Sequence, residues 1–240
     1  GHMGTALVKS WLNLKSYSFT VIDPLNFKKL KNKFNNKKIE ILNKAPIQKE
    51  IKKFDIIIFA VKPQIADRVL FEYKDFKFKK NSIISSIIAG KKIIFFKKRL
   101  KYANQFVRIM PNMPALIRNG MSCLVSTNNL SIKNKKTITQ LFMKVGKTVW
   151  LKNESQIDKA TAVSGSGPGY VFALINSFEK GAQKLGFSKK QSRELVLTTF
   201  LGSIYLMQET KKEPDELEKS IAVKGGTTEA GIKNLKNNYI

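Results

Sequence analysis

Cysteine and histidine occur once each in this 240-residue chain, and arginine only five times. The lone cysteine, Cys123, excludes an internal disulfide framework. Together with the lone histidine, His2, it also excludes a His/Cys metal site and a serine–histidine triad built within one chain. No metal is expected, and a reducing, cytoplasmic setting fits this thiol usage. No cationic segment followed by an apolar run opens the chain, so no signal peptide is expected. The longest uncharged stretch, 160–178, approaches membrane-spanning length, but Gly165, Gly167, Pro168 and Gly169 break its first half. A helix buried between protein surfaces is expected there, and no membrane partner.

Acidic residues are scarce as well: 17 Asp and Glu against 44 Lys and Arg give a formal charge of +27. A basic face with interleaved aromatics would suit nucleic acid. The five arginines are Arg68, Arg99, Arg108, Arg118 and Arg193, which leaves 39 lysines. Lysine runs such as "FKKLKNKFNNKK" and "KDFKFKKN" are spread among Ile and Asn as if lysine were the default polar residue. Arginine is the residue suited to bidentate phosphate and base recognition. The excess therefore reads as a biased codon supply, and no nucleic-acid partner is expected.

What is present is hydrophobic pattern, 42% of residues being apolar, enough for real cores. Before Trp150 come short apolar runs: "SFTVID", "FDIIIFAVKP", "NSIISSIIAG", "QFVRIMPNMP", "GMSCLVST" and "GKTVWL". Runs of this length without strict alternation predict strands of a parallel sheet buried on both faces, alternating with helices. After Trp150 the spacing becomes three and four, as in "ESQIDKATAVSG", "PGYVFALINSFEKGAQKLG", "SKKQSRELVLTTFLGSIYLMQET" and "EPDELEKSIAV". Gly186 predicts a helix stop, and Ser188 with Gln191 a capping box. The fold class is thus α/β: a Rossmann-type doubly wound domain over 1–150, then an all-α domain over 151–240.

The opening "GHMGTALVKSWL" reads as the second half of a dinucleotide-binding turn, with glycine for close approach and then the helix whose N-terminus faces pyrophosphate. GHM is equally what cloning leaves behind, and the strand that should precede it is missing. The strand "FTVID" ends in Asp23, placed to hydrogen-bond an adenosine ribose or simply to close the strand in an Asp-Pro turn. "DIIIFAVKP" ends in Lys62-Pro63, at the strand end where ligands of open α/β sheets sit. "TAVSGSGPGY" invites reading as a phosphate cradle, but it lacks G-x-G-x-x-G spacing and follows a helix.

The set "GHMGTAL", "FAVKPQ", "VRIMPNMPALIRNG", "TAVSGSGPGYVFALI" and "GGTTEAGIKNL" closely resembles pyrroline-5-carboxylate reductase, in order and over essentially the whole chain. The resemblance implies NADPH- or NADH-dependent reduction of 1-pyrroline-5-carboxylate to L-proline, the last step of proline biosynthesis. It implies an intertwined homodimer or higher homo-oligomer formed through the helical domain, which agrees with the apolar faces of "YVFALINSF" and "LVLTTFLGSIYLM". It also implies that the first strand and first glycine of the turn are absent, leaving an open slot in the sheet, and that family members continue past Ile240.

By the same resemblance, cofactor contacts fall on Gly1, His2, Met3, Asp23, Ala60, Val61, Lys62, Pro63, Ala89 and Ser220. Substrate contacts fall on Glu154, Thr161, Gly226, Thr227 and Thr228, with Thr161 the catalytic residue facing the ring nitrogen. Glu154 and Thr161, seven residues apart, are two helical turns apart on one face. "GGTTEAGIKNL" suits a carboxylate, with backbone donors at a helix start. "SGSGPG" resembles the turn between two helices of the C-terminal domain. Ala222-Val223, where members usually have Thr-Ser, removes hydroxyls near substrate and cofactor, and Ile47 and Ser220 stand where polar amides often contact the nucleotide. Asp23 favours NADH, Lys28 and Lys29 could offset it, and use of either cofactor is expected.

Overall fold

Apolar stretches of four to seven residues set the strands of the first half, each short enough to be crossed by one layer of helices. The computed structural model describes residues 1–34 and 38–238; part of the lysine run "FKKLKNKFNNKK", and Ile240, lie outside the described residues. The chain divides into two compact units, Gly1–Gly169 and Tyr170–Ile240. Along the first unit run α1 (His2–Trp11), β1 (Phe19–Ile22), α2 (Phe27–Lys33), β2 (Ile39–Leu42), α3 (Gln48–Ile51), β3 (Ile56–Phe59), α4 (Ala66–Phe71), β4 (Ile83–Ser86) and α5 (Ile93–Arg99). Next come β5 (Gln105–Pro111), β6 (Gly120–Ser126), α6 (Ile132–Phe142), β7 (Gly146–Trp150) and α7 (Ser155–Ala160).

Among the described residues there are two sheets, β1-β2 and β3-β4-β5-β6-β7. β1 pairs β2 in parallel, with Phe19 opposite Ile39, and β3, β4 and β5 are parallel to one another. β2, "IEIL", escaped the sequence reading because the lysine run before it masks a single period-2 alternation. The expectation of a parallel sheet needs one correction: β5 and β6 are antiparallel, with Ile109 opposite Leu124. Only residues 112–119 join them, and a parallel crossover takes about a dozen residues or more. β7 then returns parallel to β6.

The sheet is buried on both sides. On one face Ile84, Phe106 and Val125 pack with Leu70, Phe96, Leu100 and Ile157; on the other Ile83, Val107, Ile109 and Leu124 pack with Leu7, Trp11, Ile138, Leu141 and Phe142. Trp11 Nε1 donates to the Leu141 carbonyl at 2.7 Å, tying α1 to α6 while its ring lies against Phe142. Tyr73 sits under α4 against Phe59, and burial, with help from Glu72, pushes its hydroxyl up to about 12. Burial also pushes the Cys123 thiol up, as for an inert core residue. Whereas the sequence pattern changes at Trp150, the contacts divide at Gly169, because Ile157 of α7 is fully buried in the core of the first unit.

The second unit is helical: the greater part of α8 (Gly167–Lys184), then α9 (Lys189–Thr210), α10 (Pro214–Ile221) and α11 (Thr227–Asn238). The capping box at Ser188 is formed: its hydroxyl accepts from Gln191 N at 3.3 Å and Gln191 Oε1 accepts from Ser188 N at 3.0 Å. Gly186 takes φ +96 just beyond the end of α8. Phe178 and Phe200 meet edge to face, while Tyr170, Phe172, Leu201 and Tyr205 are left more than half exposed. No helix among the described residues is long and apolar enough to cross a membrane.

Candidate active site

The first group of candidate residues gathers where α1 begins. Gly1 precedes the first turn of α1, and its nitrogen lies 3.9 Å from Asp23 Oδ2 at the end of β1. A Cβ added at Gly4 would meet the Ala60 side chain at 3.5 Å, so α1 also runs close to the end of β3. His2 is exposed and Met3 half-buried beside the second core. Asp23 is held in place: Oδ1 accepts from Asn26 N at 3.1 Å and both oxygens accept from Asn26 Nδ2. The turn reading and the ligand reading of Asp23 are therefore compatible, since the Asn26 bonds orient the carboxylate beside the helix start.

The chain leaves β3 through Ala60 and Val61, and exposed Lys62 precedes a 3₁₀ turn, Pro63–Ile65, whose Ile65 N donates to the Lys62 carbonyl at 3.1 Å. Pro63 fixes the first residue of that turn, where a missing N–H costs nothing. Ala89 lies exposed in the turn after β4. A helix N-terminus flanked by the carboxyl ends of parallel strands suits a pyrophosphate, because the N–H groups and helix dipole face it. The residues at this end of α1 thus fit a nicotinamide dinucleotide.

The second group lies along one face of β5. Side chains two apart on a strand share a face, and Arg108 and Met110 both point toward α7. Arg108, 5% exposed, reaches Glu154 Oε1 with Nη1 at 3.3 Å and Asp158 Oδ1 with Nη2 at 3.0 Å. Glu154 Oε1 also accepts from Ile93 N at 2.7 Å, so one carboxylate joins β5, α5 and α7. Thr161 Oγ1 donates to the Ile157 carbonyl at 2.8 Å and rests on Met110 Sδ at 2.6 Å. Just beyond β5, Asn112 Nδ2 donates to the Ser164 carbonyl at 3.1 Å, and Asn112 Oδ1 accepts from Met121 N at 2.8 Å.

The stretch "TAVSG" is a π-helical turn, Thr161–Gly165, with Ser166 N bonded to the Thr161 carbonyl at 2.8 Å. This corrects the expectation of a turn between separate helices, because the backbone stays helical into α8. The small residues are needed where the helix is widened against β5: a Cβ at Gly165 would stand 3.2 Å from Thr161 Cγ2 and 3.5 Å from Met110 Sδ. π turns of this kind recur at functional sites. Glu154 and Thr161 do face one strand, as their spacing implied. Arg108, Asp158 and Asn112 were missed, although Asp158 completes the i, i+4, i+7 stripe and was legible in the spacing.

In the second unit, Gly225 takes φ +77 and donates its N–H to Glu229 Oε2 at 2.8 Å, and Gly226 N donates to the Val223 carbonyl at 2.9 Å. Thr227 and Thr228 then open α11. Ala222 ends α10, Val223 is 71% exposed, and Ser220 Oγ donates to the Leu217 carbonyl at 2.7 Å. Ile47, in the first unit, is 63% exposed and uses its N–H to bond Glu50 Oε2 at 3.0 Å.

Comparison with known proteins decides what this arrangement belongs to. A pyrroline-5-carboxylate reductase of Pseudomonas aeruginosa is 37% identical over 184 residues, which are 77% of this chain and 67% of the relative. The chain belongs to the pyrroline-5-carboxylate reductase family. Residues 154–240 of the reductase match the family described as pyrroline-5-carboxylate reductase dimerisation, and residues 1–90 match the family described as NADP oxidoreductase, coenzyme F420-dependent. The structure of a pyrroline-5-carboxylate reductase from Coxiella burnetii superposes with a TM-score of 0.87 at 26% identity, over 99% of this chain and 87% of the other. The Plasmodium falciparum pyrroline carboxylate reductase, solved with NADP bound, gives 0.82 at 29% identity over the same shares.

Proposed function

We propose that the β5-facing stripe and the dinucleotide end of α1 carry out the family reaction through the residues described here. That reaction is the NAD(P)H-dependent reduction of 1-pyrroline-5-carboxylate to L-proline, the last step of proline biosynthesis. NAD(P)H, when bound, supplies the hydride that reduces the C=N carbon. Gly1, His2, Met3, Asp23, Ala60, Val61, Lys62, Pro63 and Ala89 would hold it. Residues 1–150 are assigned to dinucleotide binding and 151–240 to substrate binding and dimerisation.

The observation that carries this reading is the direction of the Thr161 hydroxyl. Both of its protein partners, the Ile157 carbonyl at 2.8 Å and Met110 Sδ, take the hydroxyl as donor, which leaves the lone pairs of the oxygen to accept. An accepting oxygen matches a protonated imine, whose N–H must be oriented while the adjacent carbon gains hydride. The nitrogen keeps its proton throughout, so no acid is required, in agreement with a chain whose one histidine is His2. Gly226, Thr227 and Thr228 offer backbone and hydroxyl donors at the start of α11, a chemistry that suits a carboxylate. Glu154, a substrate contact by the family resemblance, is bonded by Oε1 to Arg108 and to Ile93 N.

The half-exposed aromatic and leucine faces of α8 and α9 support a homodimer or higher homo-oligomer. The surplus of lysine over arginine, with no arginine stripe, supports a reductase that uses no nucleic acid. A cytoplasmic setting agrees with the single buried thiol. NADH and NADPH are both accepted, with Asp23 favouring the former and Lys28 and Lys29 offsetting it. The test is oxidation of NADH and of NADPH in the presence of 1-pyrroline-5-carboxylate, with proline measured as product. Absence of proline would refute the reading, and a preference of 100-fold or more for NADPH would refute the shared-cofactor part.

A further inference from the structure

Arg108 stands out among buried groups because it touches no expected ligand residue other than Glu154, yet spans the first turn of the helix that leads to Thr161. Its guanidinium bridges Glu154 and Asp158, four residues apart, from a strand position whose neighbour on the same face, Met110, supports the Thr161 hydroxyl. A planar guanidinium can hold two carboxylates at fixed angles, which a lysine ammonium cannot do. The next contact along, Asn112 to the Ser164 carbonyl, pins the far end of the π turn to the residue just after β5. One edge of the helix is therefore fixed at three successive heights along β5 and the residue after it, and the second and third of these contacts fall within the π turn.

We propose that Arg108 is a positioning residue that sets the register of α7 on β5 and thereby the place of the Thr161 oxygen. The proposal rests on the role of Thr161 given above. Glu154, on this view, is a strut whose carboxylate is committed to Arg108 and Ile93 N rather than to substrate.

A double-mutant cycle in the intact enzyme tests it, with kcat, KM for 1-pyrroline-5-carboxylate and the dissociation constants of both cofactors measured for each variant. Arg108→Lys should lower kcat at least 10-fold with cofactor affinity within twofold of the parent. Combined with Thr161→Ala it should cost no more than Thr161→Ala alone, because a residue acting through another loses its effect when that other is gone. Additive losses would overturn the proposal, as would an unchanged kcat for Arg108→Lys. If Thr161→Ala is itself silent, the reading of Thr161 fails and this inference fails with it.

Should Arg108→Lys not fold, Asp158→Asn serves in its place, since that carboxylate is half exposed and its loss leaves the Glu154 bridge. Amide hydrogen exchange supplies a readout that needs no turnover. Residues 161–165 should exchange at least 10-fold faster in either variant while the β5 amides hold, and equal protection would overturn the proposal even in an inactive preparation.

Discussion

Gly146 faces Gly120 across the β6–β7 pair so closely that a Cβ on Gly146 would lie 1.9 Å from the Gly120 carbonyl oxygen. Gly146 also takes φ +140, which L side chains rarely adopt. Gly146→Ala must therefore displace backbone at the sheet edge, and its expected loss of stability exceeds about 3 kcal/mol. Urea unfolding checks this. A variant within about 1 kcal/mol of the parent would show that β7 is not held in this register.

Thr161→Ala removes one hydrogen bond to a charged N–H, a contact worth roughly 1.5 to 3 kcal/mol. The expected loss is roughly 10- to 100-fold in kcat/KM for 1-pyrroline-5-carboxylate, with cofactor dissociation constants unchanged. Thr161→Ser keeps an accepting oxygen and should recover most of the rate. Equal rates for the alanine and serine variants would remove the hydroxyl from the mechanism.

Both oxygens of Asp23 accept from Asn26, which holds the carboxylate at the end of β1 as a fixed negative charge. Asp23→Ser should raise the ratio of NADPH to NADH kcat/KM roughly tenfold or more, about 1.4 kcal/mol, by removing repulsion of a 2′-phosphate. Paired kinetics with both cofactors decide it, and a ratio that does not move would place the ribose elsewhere.

The hydroxyl of Tyr73, pushed up to about 12 by burial and Glu72, binds its proton more tightly in the folded protein than in the unfolded chain. Its contribution is whole below pH 10 and is lost as pH rises from about 10 to about 12, a window worth about 2 to 3 kcal/mol. Every other group is common to the parent and the Tyr73→Phe variant, so the difference between them is the useful quantity. Tyr73→Phe should flatten stability against pH there, and a parallel decline in the two proteins would contradict the linkage.

Much of the fold was legible because burial on both sheet faces writes itself as unbroken apolar runs, and "DIIIF", "QFVRIM" and "GMSCLV" each became a strand. β2 was lost in a lysine-rich surround, where alternation in "IEIL" is too short to stand out. The antiparallel turn between β5 and β6 was legible in principle from the length of 112–119. Of the candidate site, Glu154 and Thr161 came from the family resemblance, with helical spacing adding only that they share a face, and Arg108 did not show at all. On a chain with this charge a cation carries little information until its depth is known, and depth is a property of packing. The π turn was likewise hidden, since the glycines and serines of "SGSGPG", which begin inside it, read equally well as a loop.

The scarcity of arginine has a practical meaning once Arg108 is seen between its two carboxylates. Of the five arginines, Arg99, Arg108 and Arg193 each meet an acidic side chain. Arg99 and Arg193 each meet one carboxylate, as Lys79 and Lys219 do, whereas Arg108 holds two at once, a geometry that suits a planar guanidinium better than an ammonium. In a lysine-saturated chain a buried arginine is therefore the cation to inspect first for bridged carboxylates, and for the helix that they align.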